Sequence, residues 1–164
     1  MLSIREARPE DASLIVRFIR DLAEYEREPQ AAIVTEKDIL RDGFRDDPKF
    51  SVLFAEWNGE PVGFAFYFFN YSTWLGRPGL YLEDLFVRPS ARGKGAGKAL
   101  LAKLAQIAIE KNCYGMRWQV LDWNQPAIDF YDSLGGKMLK EWITVRLMGE
   151  PLKELAALSL GIEH

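Results

Sequence analysis

The stretch Leu80–Leu101, LYLEDLFVRPSARGKGAGKALL, constrains this chain more than any other. It reads as a buried strand, a short loop, a glycine-rich turn and the start of a helix. Two acids, Glu83 and Asp84, interrupt the apolar run, and Arg92-Gly93-Lys94-Gly95-Ala96-Gly97 follows shortly after Val87. A strand that delivers a glycine turn to a helix N-terminus is a way to hold a phosphate. Alternate glycines let backbone N–H groups converge on one cluster of oxygens. The helix dipole adds about 1 kcal/mol for an anion in good geometry, and Lys94 and Lys98 add charge. The plainer alternative is that the glycines serve only a tight loop.

The kind of phosphate is narrowed by spacing. The P-loop pattern fails, because no Gly-Lys-Ser/Thr follows at the required distance. The dinucleotide fingerprint fails too. Counted from Gly93, its last glycine falls on Lys98, and counted from Gly95, on Leu100. The turn also lies in mid-chain instead of after the first strand.

At 164 residues the chain has the length of one domain able to bury a real core. A net charge of −3 argues against nucleic acid, whose binders carry basic patches. No apolar run approaches a membrane span, and the N-terminus, charged from Arg5, lacks a signal-peptide core. The one cysteine, Cys113, permits no internal disulfide. It reads as a structural residue at a helix-to-strand junction. The expected setting is cytoplasmic. The only histidine is His164. This excludes a Ser-His-Asp triad and the usual zinc patterns, and no metal is expected.

The remaining elements follow from periodicity and turn signals. Leu2–Ala7 alternates as a strand. After Pro9-Glu10-Asp11, Leu14, Ile15, Phe18, Ile19 and Leu22 form one helical face, and the helix ends in the acidic run Glu24-Tyr25-Glu26-Arg27-Glu28. That run reads as a solvated charged face or as an acidic lip that attracts a cation. Thr35 is an N-cap for a short helix with Ile39, Leu40 and Phe44 inward. Phe50–Trp57 and Pro61–Tyr71 are strands joined by Asn58-Gly59, the strongest short hairpin signal. A long helix runs from Lys98 to Lys111 on a stripe of Ala99, Leu100, Leu104, Ile107 and Ala108. Further strands are expected at Tyr114–Leu121 and Trp142–Met148. Between them a helix over Ala127–Leu134 opens with Pro126 in its favoured first turn and stops at Gly135-Gly136. Residues 151–158 form a terminal helix or tail. Trp74 and Trp123 read as core or interface packing, with walls of an amine channel as the alternative. The order of elements describes a single α/β domain of mixed α+β type over residues 1–164, with its core at about 2–148. Helices between strands imply some parallel pairing.

Arg92-x-x-Gly95-x-Gly97 after Leu85-Phe86-Val87 resembles the acetyl-CoA motif of the GCN5-related N-acetyltransferases (GNAT). Leu22–Glu26, Tyr81-Leu82-Glu83-Asp84, and Leu121-Asp122-Trp123-Asn124-Gln125 with Phe130-Tyr131 resemble its diamine acetyltransferase branch. That branch comprises the spermidine/spermine N1-acetyltransferases and the thialysine N-ε-acetyltransferases, and the Leu-Asp-Trp-Asn form is nearer the thialysine type. The resemblance covers most of residues 2–148. It implies a twisted mixed sheet whose central strands splay apart, acetyl-CoA in the splay, and a homodimer. It also implies that the backbone of Leu85, Phe86 and Val87 pairs with the pantetheine arm. Arg92 belongs to the same motif, and the amides of Gly93, Lys94, Gly95, Ala96, Gly97 and Lys98 take the pyrophosphate. Asn124, Gln125, Pro126 and Ala127 border the thiol end. Tyr25, Glu26, Glu83 and Asp84 are implied as residues for a cationic amine, and in a dimer Tyr25 and Glu26 are open to serving the partner's site.

The chemistry is consistent with these residue types. An amine attacks a thioester directly, so no enzyme nucleophile is required. The amine, with a pKa of about 10.4, must first lose a proton. Glu83, in an apolar strand, is the candidate base, directly or through water, if burial raises its pKa. Read by itself it is equally a strand-end carboxylate with a backbone or arginine partner. A backbone N–H at Leu85 or Phe86 can serve the oxyanion. Tyr131 can return a proton to the leaving thiolate; read by itself it is an aromatic packing residue, and the resemblance is what favours the acid role. The expected activity is acetyl transfer to a small cationic amine. Alternatives are a protein lysine or N-terminal acetyltransferase and a catalytically silent CoA-binding module.

Overall fold

The computed structural model describes residues 1–162; His164 lies outside them. The chain divides into two compact units, one over residues 1–121 and one beginning at Asp122. The first unit carries β1 (Leu2–Glu6), α1 (Ala12–Tyr25), α2 (Glu36–Gly43), β2 (Ser51–Trp57), β3 (Glu60–Ser72), β4 (Arg77–Val87), α3 (Ala96–Glu110) and β5 (Met116–Arg117). The second carries α4 (Gln125–Ser133) and α5 (Glu150–Ala156).

The sheet runs in the order β1-β2-β3-β4-β5. Its first three pairings are antiparallel and the last is parallel. The β2–β3 hairpin closes at Asn58 and Gly59 with φ of 50° and 85°, the two positive values that a type I′ turn needs. Both faces of the sheet are covered. Val52, Phe54, Phe64 and Phe86 join Ile15, Phe18 and Leu22 of α1 and Ile39 of α2 in one cluster. Leu53, Ala55 and Ala65, which alternate with them, are also buried, and α3 packs across β2, β3 and β4. This is why β2 and β3 read as almost continuous apolar runs.

Local sequence explains the helices. At α2 the Asp38 amide donates to Thr35 Oγ1 (3.3 Å) and the Thr35 amide donates to the Asp38 carboxylate (2.9 Å), a reciprocal capping box. Leu40, expected inward, is exposed, because Ile39 takes the inward position and the neighbouring residue lies about 100° around the helix. Arg5 ties β1 to the turn before α1 and to β2. It bonds Asp11 and Glu56, both at 2.8 Å, and its guanidinium holds the Asp11 carboxyl below its ordinary range.

Three sequence expectations are altered. The strand over Tyr114–Leu121 is assigned only at Met116–Arg117, and Trp142–Met148 carries no assigned strand. Trp74, expected in core or interface packing, is exposed in the β3–β4 connection of the single chain and so is not a core residue. There the backbone turns on itself through Gly76 N–H to the Ser72 carbonyl, so the intervening side chains project away from the sheet.

Candidate active site

Strand β4 breaks its own regularity where the acids stand. Asp84 is paired with Phe66 of β3, but Leu82 is paired with Tyr67, so Glu83 has no partner across the ladder. It is the extra residue of a β-bulge. In an unbroken strand Leu80, Leu82, Asp84 and Phe86 would share one face. The bulge shifts the phase, and paired residues share a face. Asp84 therefore lies on the side of Phe66 and Phe86, which is the side of α1.

The environment of the two acids follows from this shift. Glu83 is exposed and Asp84 is half-buried. The burial expected at Glu83 falls on Asp84 instead. That burial, together with the charges of Glu83 and Glu26, pushes the Asp84 carboxyl up to about 7. Glu26, which caps the C-terminus of α1, is itself raised by burial. The charge of Glu26 thus acts on Asp84 from a different element.

Past β4 the chain passes a short 3-10 turn at Pro89–Ala91 and enters the glycine turn. Gly93 and Gly95 have φ of 83° and 84°, where a side chain would be strained. No atom stands within 4 Å of where a Cβ would be at either residue. Gly95 is the N-cap of α3 and supplies no side-chain cap, so the first-turn amides of Ala96, Gly97 and Lys98 lack partners within the helix. On the other side of β4, β5 is registered only against Leu80 and Tyr81. Beyond that point, Leu85, Phe86 and Val87 run along β3 alone. Among the described residues the β4–β5 pairing ends at Tyr81.

The cations near the turn are not all placed as spacing suggests. The Lys94 ammonium lies 4.9 Å from the Trp57 ring centre, so it leans toward the end of β2. The Arg92 guanidinium lies 4.7 Å from the Tyr25 ring centre and 5.8 Å from that of Phe86, and its Nε donates to the Val87 carbonyl at 3.1 Å. The Tyr25 and Phe86 rings are 6.2 Å apart. The first unit therefore brings Tyr25, Glu26, Asp84, Phe86 and Arg92 together at the end of α1. The aromatic seats under Arg92 and Lys94 left no trace in the sequence, because Trp57 and Tyr25 lie far from the turn along the chain.

The second unit carries the rest of the expected site. Asn124 caps α4, its side-chain oxygen accepting from the Ala127 amide at 3.4 Å. Pro126 occupies the first turn, and Gln125 bonds Asp129 at 2.7 Å. Tyr131 sits near the end of α4 against the Phe130 ring, 5.7 Å away, and its carbonyl accepts from the Gly136 amide at 2.9 Å. Cys113, half-buried before β5, has its thiol raised by burial, which disfavours the reactive thiolate.

A mixed sheet with a bulged strand, followed by an open glycine turn at a helix start, defines the class. The chain belongs to the acetyltransferase (GNAT) family, whose pattern matches residues 14–135. It is 43% identical to the thialysine N-epsilon-acetyltransferase of Sus scrofa, over 93% of this chain and 96% of that protein. It is 40% identical to the spermidine/spermine N(1)-acetyltransferase-like protein 1 of Homo sapiens, over 93% of this chain and 23% of that longer protein. An integron cassette protein from the mobile metagenome of V. cholerae has the same fold with a TM-score of 0.79 and 30% identity, covering 94% of this chain and 97% of its own. These relatives place the protein in the diamine and thialysine acetyltransferase branch, and it is an N-acetyltransferase.

Proposed function

We propose that the protein moves an acetyl group from acetyl-CoA to the primary amine of a compact cation, a thialysine- or lysine-like amino acid or a polyamine. The observation that carries this reading is Asp84. It is a half-buried carboxylate with Glu83 and Glu26 as its charged neighbours. Such a group is short of positive charge, and a protonated amine supplies it. The names of the relatives point the same way.

The residues at the glycine turn fit the cofactor. Its open side admits a diphosphate without a Cβ in the way, and the free amides of Ala96, Gly97 and Lys98 are donors for it. Arg92 adds a cation. The backbone of Leu85, Phe86 and Val87 is assigned to the pantetheine arm, and Asn124, Gln125, Pro126 and Ala127 to the thiol end. When bound, acetyl-CoA supplies a thioester that an amine attacks without an enzyme nucleophile.

The chain's own groups then divide the work. Asp84 and Glu26 attract and hold the ammonium. Glu83, exposed at the bulge and so without the burial expected to tune it, is kept as the acceptor of the amine proton on the resemblance alone, directly or through water. A backbone N–H at Leu85 or Phe86 donates to the oxygen that gains charge. Tyr131 holds the proton destined for the departing sulfur. The same reading makes the enzyme a cytoplasmic homodimer, and sedimentation of the purified protein at twice the mass of one chain checks the second part.

The test is a panel assay of CoA release with thialysine, lysine, spermidine, putrescine and a basic peptide. Turnover of at least one small amine, faster than that of the peptide, is expected. Turnover of the peptide alone would make the protein a protein acetyltransferase and overturn the substrate reading.

A further inference from the structure

Tyr25 is the last residue of α1, and Glu26 is its C-cap. These neighbours face different groups. The charge of Glu26 acts on Asp84, whereas the ring of Tyr25 lies against the Arg92 guanidinium at 4.7 Å. Arg92 opens the glycine turn. Among the described residues the hydrogen bond of its guanidinium is to the Val87 carbonyl and it forms no ion pair, so its charge is left for a ligand. A guanidinium without a carboxylate to orient it depends on other contacts for its direction. The faces of Tyr25 and Phe86 and the Val87 carbonyl are those contacts here.

We propose that Tyr25 is a positioning residue of the cofactor side, whose ring holds the Arg92 guanidinium beside the glycine turn for a pyrophosphate oxygen, and is not an amine-binding residue. This assignment rests on the reading of the turn as the acetyl-CoA diphosphate site, and it reverses the role expected for Tyr25 from sequence. The end of α1 then serves both substrates through consecutive residues, Tyr25 toward the cofactor and Glu26 toward the amine. A planar guanidinium stacked on a ring meets a diphosphate with its donors already aimed, which lowers the ordering cost of binding.

The experiment compares Tyr25→Leu, Tyr25→Phe and Arg92→Gln by titration calorimetry with CoA and by steady-state kinetics. Tyr25 is about 37% exposed, so its replacement leaves the core intact. Loss of a cation–π contact of this kind corresponds to about threefold to tenfold. Tyr25→Leu is expected to weaken CoA by that factor and to raise the KM for acetyl-CoA alike, with the KM for the amine unchanged. Tyr25→Phe, which keeps the ring face, retains wild-type affinity. With S-acetylpantetheine, which lacks the diphosphate, Tyr25→Leu and wild type turn over equally. In the Arg92→Gln background Tyr25→Leu has no further effect on CoA. If Arg92→Gln leaves CoA affinity unchanged, the reading of the turn itself falls. If Arg92→Gln weakens CoA but Tyr25→Leu does not, or if Tyr25→Leu raises only the KM for the amine, the turn stands and the role of Tyr25 falls.

Discussion

Replacing Asp84 with asparagine should make the protein more stable at alkaline pH while weakening its hold on a cationic amine. The carboxyl is raised from 3.8 to about 7, first by burial and then by Glu83 and Glu26. A folded-state pKa above the unfolded one means that the folded protein binds the proton more tightly. Between about pH 4 and pH 7 the folded state therefore carries more protons than the unfolded chain, and stability falls as pH rises through that window. Above pH 7 both states are ionised and the loss is complete. One pKa unit is about 1.36 kcal/mol, so the full difference corresponds to about 4 kcal/mol. Water that still reaches this half-buried side chain lowers that figure, to roughly 2 kcal/mol. Asparagine carries no charge to desolvate. Urea denaturation of wild type and Asp84→Asn at pH 5 and pH 8 should show the advantage of the variant growing by roughly 1–3 kcal/mol between the two. For a chain of this length that is several degrees in Tm. Added thialysine should raise the Tm of the wild type and leave that of the variant nearly unmoved. Parallel pH dependences for the two proteins would refute the reasoning, because they would mean that Asp84 is solvated or partnered when ionised.

Kinetics divide the acids further. The pH profile of kcat/KM for the amine should rise through about pH 7 in the wild type, as Asp84 ionises to receive the cation, and this limb should be lost in Asp84→Asn. Glu83→Gln should lower kcat by about 10²–10⁴-fold with little change in the KM for the amine; a normal kcat would assign the proton to bulk water. Tyr131→Phe should lower turnover and leave CoA affinity intact, and loss of CoA binding without loss of chemistry would remove its role as acid. Gly95→Ala places a side chain at φ 84°, so it should cost about 1–2 kcal/mol of stability and weaken CoA, both readable in one thermal-shift titration.

Much of this architecture is legible in the sequence because it is written in local rules. Asn58-Gly59 encodes a turn with two positive φ values, Thr35 and Asp38 cap each other, and the glycines of the anion turn stand at alternate positions within one short stretch. What was not legible is the bulge. Sequence alternation carries no mark of one skipped partner, so it sets Asp84 with Leu80 and Leu82 and does not show that it lies on the α1 side with Phe66. The seats of Arg92 on Tyr25 and of Lys94 on Trp57 join residues that only the folded sheet brings close. Leu40 shows the same limit on a smaller scale: Ile39 is buried as expected, but the adjacent apolar residue lies about 100° around the helix and is exposed.

The bulge also resolves an apparent conflict between stability and placement. The charges of Glu26 and Glu83 act on Asp84, and among the described residues no salt bridge joins a lysine or arginine to it; a structure selected for stability alone would neutralise such a group. Moving Asp84 to the α1 face costs stability at neutral pH, and the regular strand, without the bulge, would have kept it on one face with Leu80 and Leu82. The arrangement makes sense if the missing charge arrives with the substrate. A bound ammonium would return Asp84 to its ionised state and recover part of the desolvation cost, so the same carboxylate that destabilises the free enzyme favours a cation over a neutral amine. Selectivity should therefore track charge: a neutral isostere of the best substrate should bind wild type and Asp84→Asn equally, whereas the cation should bind the wild type more tightly, and the gap should close as the pH falls below 7.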